Sequence, residues 1–301
     1  MSRGQKIFGF FLFILCFSLS TQCSDELTAP REDELFLTNE EAVDIEIAEL
    51  AAGGIQLEEC IGVFSIGWNQ WFRPRHQDAQ IVGESFGIGF STPTSPESPF
   101  SQQGVDMGTV YLNCPDKQIE LIRRVCQRAC RRGGIVYTSF SRPFRETGSV
   151  VDFYPDLSYQ FEVTGSPQFD PLTFSLLSPS ALIAITSHVR GESIDPDEDF
   201  TITWEGGYEE GPINIFFIAR PHRRHRGPRE TRPDEGVLEV LETNTGTYTL
   251  PASKLQELLG STPGSALVVR VSQVHVSEID HGGERILGIV RNGDGVILGG
   301  R

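Results

Sequence analysis

The feature that most restricts the fold of this chain is a two-residue alternation of apolar and polar side chains, repeated in short runs. Tyr159, Phe161 and Val163 alternate cleanly, and Leu172, Phe174 and Leu176 do so again. Successive side chains of a strand point to opposite faces, so each run predicts a half-buried strand. Gly and Pro, 31 and 18 residues, punctuate the runs as they do where strands are joined by turns. The expected fold class is mainly β. Further strands are predicted at residues 60–64, 80–82, 108–112, 135–138, 213–218, 237–241, 247–250, 267–276 and 285–290, with one helical crossover at 253–259.

Two stretches read differently. Thr38 precedes Glu41 by a capping-box spacing, Val43, Ile47 and Leu50 follow, and Gly53-Gly54 ends the run, which predicts a short N-terminal helix over 39–52. The alternation Val43, Ile45, Ile47 is also strand-like. Residues 116–132 fit a helical face through Ile119, Ile122, Val125, Cys126 and Ala129, or a hairpin through Ile119, Leu121 and Arg123; the hairpin is preferred. A Pro179-containing break divides the rest into two β-rich domains, 55–178 and 179–301.

The N-terminus reads as an export signal. Arg3 and Lys6 precede an uncharged apolar run at 7–19, too short for a span of roughly 20 residues. Ser20-Thr21-Gln22-Cys23 follows. This start resembles the precursors of bacterial lipoproteins. The resemblance implies a signal peptide at 1–22, lipidation of Cys23, a lipid-anchored tether with the short helix at 23–54, and a place in the bacterial cell envelope, on the outer membrane or cell surface. Gln22 stands where that family carries Gly or Ala, and an ordinary cut after Ser20 is the alternative. Two or more acyl chains would hold the protein on a membrane almost permanently.

Beyond the signal and Cys23, the cysteines are Cys60, Cys114, Cys126 and Cys130. In an oxidising compartment an even set predicts two disulfides. A hairpin at 116–132 would make the pairs Cys126–Cys130 and Cys60–Cys114; a helix would place Cys126 and Cys130 on one face, pairing outward. A chain that is not exported could use the same set as a zinc site.

From residue 181 the chain resembles an immunoglobulin-like β-sandwich of bacterial surface proteins. The resemblance rests on Ile183-Ala184-Ile185-Thr186-Ser187, then a turn, then Asp199-Phe200-Thr201-Ile202-Thr203-Trp204. It implies a sandwich of about 120 residues, without the Cys…Trp…Cys spacing of antibody domains. That architecture hosts many functions and selects none.

Candidate chemistry is sparse. A net charge of −16 argues against general nucleic-acid binding. Against this acidity, Arg220, Arg223, Arg224, Arg226, Arg229 and Arg232 crowd one stretch with His222 and His225, and no Val, Ile, Leu, Met or aromatic residue falls between Ala219 and Val237. Guanidinium groups offer paired donors to phosphate and carboxylate, so the stretch is a candidate anion-binding loop for an envelope polymer or protein partner. The competing reading is a solvated loop, or one docked on the acidic N-terminal region.

Gly83-Glu84-Ser85-Phe86-Gly87 matches G-x-S-x-G, but Pro93, Pro96 and Pro99 follow where a nucleophile elbow needs a helix, so a loop serine is expected. Asp195-Pro196-Asp197-Glu198-Asp199 starts like a calcium loop but carries Phe200 and Gly206 at the Gly and Glu positions, and reads as an acidic turn. Asn292-Gly293-Asp294-Gly295 reads as a tight turn. Trp68, Trp71 and Phe72 are expected in a core, with a sugar-stacking platform as the functional alternative. No metal, cofactor or catalytic residue is assigned. The expected function is binding or scaffolding in the envelope; the rivals are a glycan-acting enzyme with carboxylates not paired from sequence, and a purely structural module.

Overall fold

The computed structural model describes residues 59–71, 80–93, 103–126, 134–139, 150–220, 236–260 and 266–300. The signal, Cys23, the tether and the 39–52 helix lie outside the described residues. The described chain is mainly β. Its first strands are β1 (Cys60–Trp71), β2 (Gln80–Gly89), β3 (Val110–Asn113), β4 (Gln118–Glu120), β5 (Ile122–Cys126), β6 (Gly134–Thr138), β7 (Ser158–Val163) and β8 (Leu172–Leu177). There follow β9 (Ala184–Ile185), β10 (Ser193–Ile194), β11 (Phe200–Glu205), β12 (Ile213–Arg220), β13 (Gly236–Leu241) and β14 (Thr247–Leu250). The helix α1 (Ala252–Gly260) leads to the long hairpin β15 (Ala266–His281) and β16 (Glu284–Gly300).

One nine-stranded sheet has the order β13-β12-β15-β16-β1-β2-β6-β5, with β10 also on β16. Its axis is β16, antiparallel to β15 from His281↔Glu284 to Ala266↔Gly299 and parallel to β1 from Cys60↔Arg285 to Gln70↔Asp294. Two smaller sheets, β4-β3-β7-β8 and β14-β11-β9, pack on one face of it. Under the first, Phe64, Ile66 and Trp68 of β1 and Ile286 and Val290 of β16 meet Tyr159, Phe161, Phe174 and Leu176. Under the second, Ile202 and Trp204 meet Ile215, Phe217, Val269, Val271 and Leu298, with Leu255 and Leu258 of α1 closing the end. This second pair of layers is a β-sandwich whose larger layer is continuous with the sheet of the first core.

The two cores are not divided at one point of the chain, since Ile286 and Val290 belong to the first, and the large sheet runs under both. Side chains of one parity along β16 serve both: Ile286 and Val290 the first core, Val296 and Leu298 the second. The predicted turn at 292–295 is corrected by the same strand. Those residues stay in register with β15, Asn292 facing Gln273 and Asp294 facing Val271. Their inward polar side chains interrupt the apolar pattern without interrupting the ladder. The described part of 116–132 is strand and not helix: β4 pairs β3, and β5 pairs β6, which lies beyond the stretch, from Ile122↔Thr138 to Cys126↔Gly134.

The G-x-S-x-G motif is also corrected, from loop to strand interior. In the β1–β2 register Phe64 faces Gly87 and Trp68 faces Gly83, so each glycine leaves room for an aromatic ring on its neighbour. Ser85 is buried between them, its hydroxyl donating to the Ser65 carbonyl at 3.1 Å and its N–H donating to Ser139 Oγ at 2.9 Å. Beside Gly83 runs Val151, whose carbonyl accepts the Trp68 indole N–H at 3.0 Å. A Cβ on Gly83 would stand 1.8 Å from that oxygen. Gly83→Ala should therefore destabilise the protein by about 2–3 kcal/mol, through displaced backbone and a lost indole partner. Urea unfolding checks this; an unchanged midpoint would contradict the packing role.

Candidate functional site

Between the two cores, on the same face of β15 and β16, lies a seam of buried polar side chains: Gln273, Asn292 and Asp294. Buried backbone groups need partners, and two crossing segments with little regular pairing obtain theirs from this seam. Asn292 Oδ1 accepts the Ile183 N–H at 2.8 Å and Asp294 Oδ2 accepts the Ile185 N–H at 2.7 Å. Gln273 Oε1 accepts the Tyr208 N–H at 2.6 Å, and its Nε2 donates to the carbonyls of Tyr208 and Glu210 at 3.1 and 3.0 Å. Asn244 completes the set: Oδ1 accepts the Trp204 indole N–H at 2.9 Å and Nδ2 donates to the Gly206 carbonyl at 2.8 Å. Gly206, at φ +83°, allows the close crossing; a Cβ there would lie 2.0 Å from the Leu182 carbonyl.

Burial pushes the Asp294 carboxyl up to about 6, against the opposing pull of its bonds to the Ile185 and Gly295 N–H groups. In the unfolded chain the value returns to 3.8. Below that pH the group is protonated in both states; above about 6 it is ionised in both, and the folded state carries the full burial cost. Its contribution to stability therefore falls as pH rises through that window, by about 2–3 kcal/mol. Asp294→Asn retains an oxygen acceptor and cannot ionise. Relative to wild type, its stability should improve progressively from pH 4 to pH 7 by roughly that amount. Urea unfolding across the range checks this, and a difference independent of pH would contradict it.

A second polar cluster fastens the β5–β6 hairpin. The Tyr137 hydroxyl donates to Asp106 Oδ1 at 2.8 Å and accepts the Met107 N–H at 3.0 Å, while Arg123 Nη2 reaches Asp106 Oδ2 at 3.0 Å. The Tyr137 bond holds the Asp106 carboxyl below its usual value, and burial pushes the Tyr137 hydroxyl up to about 12. The shifts move both groups away from neutrality, the opposite of what proton transfer near neutral pH needs. The arrangement serves as a strut.

Trp68 is fully buried in the first core, edge-on to Phe153 and Tyr159, where it packs rather than stacks on a ligand. The side chain of Trp71, and Phe72 entirely, lie outside the described residues. The expected Cys60–Cys114 disulfide is not formed. Cys60 is buried with Val63 and Leu287, whereas Cys114 packs against the first core, on the opposite face of the large sheet. Burial pushes the Cys114 thiol up to about 11. Cys126 ends β5, with its side chain outside the described residues, as is Cys130 altogether.

The acidic stretch is a turn whose carboxylates cap local structure. Asp195 Oδ1 accepts the Asp197 N–H at 3.0 Å, and Asp199 Oδ1 accepts the Ala252 N–H at 2.8 Å at the start of α1. Arg220 ends β12, and its side chain and the arginines from Arg223 to Arg232 lie outside the described residues. The strands that flank the stretch, β12 and β13, pair antiparallel up to Ile218↔Gly236 at one edge of the large sheet.

Sequence reading missed the seam. Its only signal was Gln273, Asn292 and Asp294 at inward positions of otherwise apolar strands. No family model matches the chain, and no curated protein does. Among solved structures it is similar to Dpr11 IG1 bound to DIP-gamma IG+IG2, at 11% identity over 81% of this chain and 98% of that one, with a TM-score of 0.18. A structure of DIP-gamma IG1+IG2 matches at 11% identity over 80% and 97%, also at 0.18. Scores that low leave the fold to be read from the sheets themselves.

Proposed function

We propose that this protein is a non-catalytic binding or scaffolding component of the bacterial cell envelope, anchored by lipid on Cys23, whose arginine-rich connection after β12 contacts an anionic polymer or protein. The observation that carries the reading is the charge pattern: an acidic chain concentrates Arg220, Arg223, Arg224, Arg226, Arg229 and Arg232 in one stretch from the end of β12 to the edge strand β13. The titratable groups of the two polar clusters support it, because they are occupied in tying strands and crossings together. Such a contact is electrostatic, so it is strong at low salt and screened beyond about 10 Å at 0.1 M.

Labelled polyphosphate, as a generic polyanion, should bind the full chain with an affinity that falls steeply with salt. Replacing the six arginines by Ser should weaken it at least ~10-fold, the equivalent of about 1.4 kcal/mol. Binding insensitive to both changes would contradict the assignment. Intact mass of the envelope-extracted protein should begin at a diacylated Cys23; an unmodified chain starting at Thr21 would contradict the anchor.

A further inference from the structure

Two requirements of the fold meet in one dipeptide of β16. Position 292 must supply an acceptor, because Asn292 Oδ1 takes the Ile183 N–H at 2.8 Å where the side chain is 1% exposed. Position 293 has little room for a side chain, because a Cβ there would stand 3.1 Å from both the Val271 carbonyl oxygen and Ser272 Cβ. The result is Asn-Gly, a pair in which no side chain shields the glycine nitrogen from reaction with the asparagine amide. Part of the reaction geometry is in place. The Ile183 N–H polarises the Asn292 side-chain carbonyl. Asn292 Nδ2, the nitrogen that would leave, has no hydrogen-bond partner among the described residues. What is missing is alignment. Ring closure requires the Gly293 nitrogen to eclipse Asn292 Cβ, a backbone torsion far from that of an extended strand. Gly293 sits in mid-sheet, registered against Ser272 of β15 and Asn69 of β1, so a ladder on each side holds the extended form.

We propose that Asn292-Gly293 is a site of spontaneous deamidation, kept unreactive by the strand and released when β16 opens, so that opening of the seam becomes irreversible. In the opened segment the Gly293 nitrogen gives up its proton and attacks Asn292 Cγ. The Cγ–Nδ2 bond breaks, ammonia leaves, and a succinimide ring closes. Water then opens the ring. Attack at Cγ yields aspartate; attack at the Asn292 backbone carbonyl carbon yields isoaspartate, in which the main chain runs through the side chain. Neither product suits the closed seam. Aspartate adds a second buried carboxylate on the face that carries Asp294. Isoaspartate adds a methylene to the backbone and shifts every later pair out of register. Those later residues include Val296 and Leu298 of the second core, whereas Ile286 and Val290 before it serve the first. One reaction at residue 292 therefore uncouples the two cores along their shared strand.

Peptide mass mapping of the purified full chain, incubated at pH 8, tests this. Conversion at Asn292 should be at least ~100-fold slower in the folded protein than in the urea-unfolded chain, and should rise with urea below the unfolding midpoint. Asn244→Ala removes the partner of the Trp204 indole and the Gly206 carbonyl at the crossing, and should speed native conversion about tenfold. Ser175→Ala, on the exposed face of β8, should leave it unchanged. If the Asn244 variant does not fold, the urea dependence of the wild-type rate decides. The modified fraction, separated by its added negative charge, should unfold at lower urea than the parent. Equal rates in the folded and unfolded chain, a native rate unmoved by urea and by Asn244→Ala, or a modified fraction with the parent's midpoint would overturn the proposal.

Discussion

The structure depends on the pairing of β16 with β1, two strands separated by more than half the chain and hydrogen-bonded in parallel over ten registered pairs. Without it the first half of the molecule would be two facing four-stranded sheets, β1-β2-β6-β5 and β4-β3-β7-β8, with β1 as an open edge that invites pairing with other chains. With it, β16 carries side chains of one parity into both cores and joins what would otherwise be separate sandwiches. Parallel strands so distant in sequence close a long loop, which makes this pairing the slow and expensive step of the topology.

The polar seam follows from that arrangement. A single strand that serves two cores must cross the gap between them, and the crossing segments 181–185 and 206–210 bring backbone N–H and C=O groups into a buried place. Gln273, Asn292, Asp294 and Asn244 meet those groups one by one. Replacing any of them with an apolar residue would leave a buried backbone group unpaired, at a cost of about 1–3 kcal/mol. The raised Asp294 carboxyl is the clearest mark of the burial involved.

Much of the fold was legible in the sequence because local alternation reports burial locally. The runs at Tyr159–Val163 and Leu172–Leu176 became β7 and β8 with alternate residues buried, and the 253–259 crossover became α1. The unreadable parts share one physical cause. Gly83, Ser85 and Gly87 resemble a catalytic motif because sequence does not show that Trp68 and Phe64 lie across from the glycines. Asn292 to Gly295 resemble a turn because a polar run is tolerated in a strand only when remote segments supply its partners. Cys60 and Cys114 invited pairing because sequence gives no indication of which face of a sheet a residue occupies. Each of these turns on contacts between residues far apart in the chain, which local pattern does not encode.

The central claim is that the shared strand makes both sandwiches one cooperative unit. Native-state hydrogen exchange of the Phe161 amide, in β7 beside the first core, and the Phe217 amide, in β12 beside the second, tests it most directly. The account predicts that both amides exchange only through global unfolding, with opening free energies that agree within about 1 kcal/mol and fall together with added urea. Two distinct opening energies with separate urea slopes would mean that the halves unfold independently, and would contradict it.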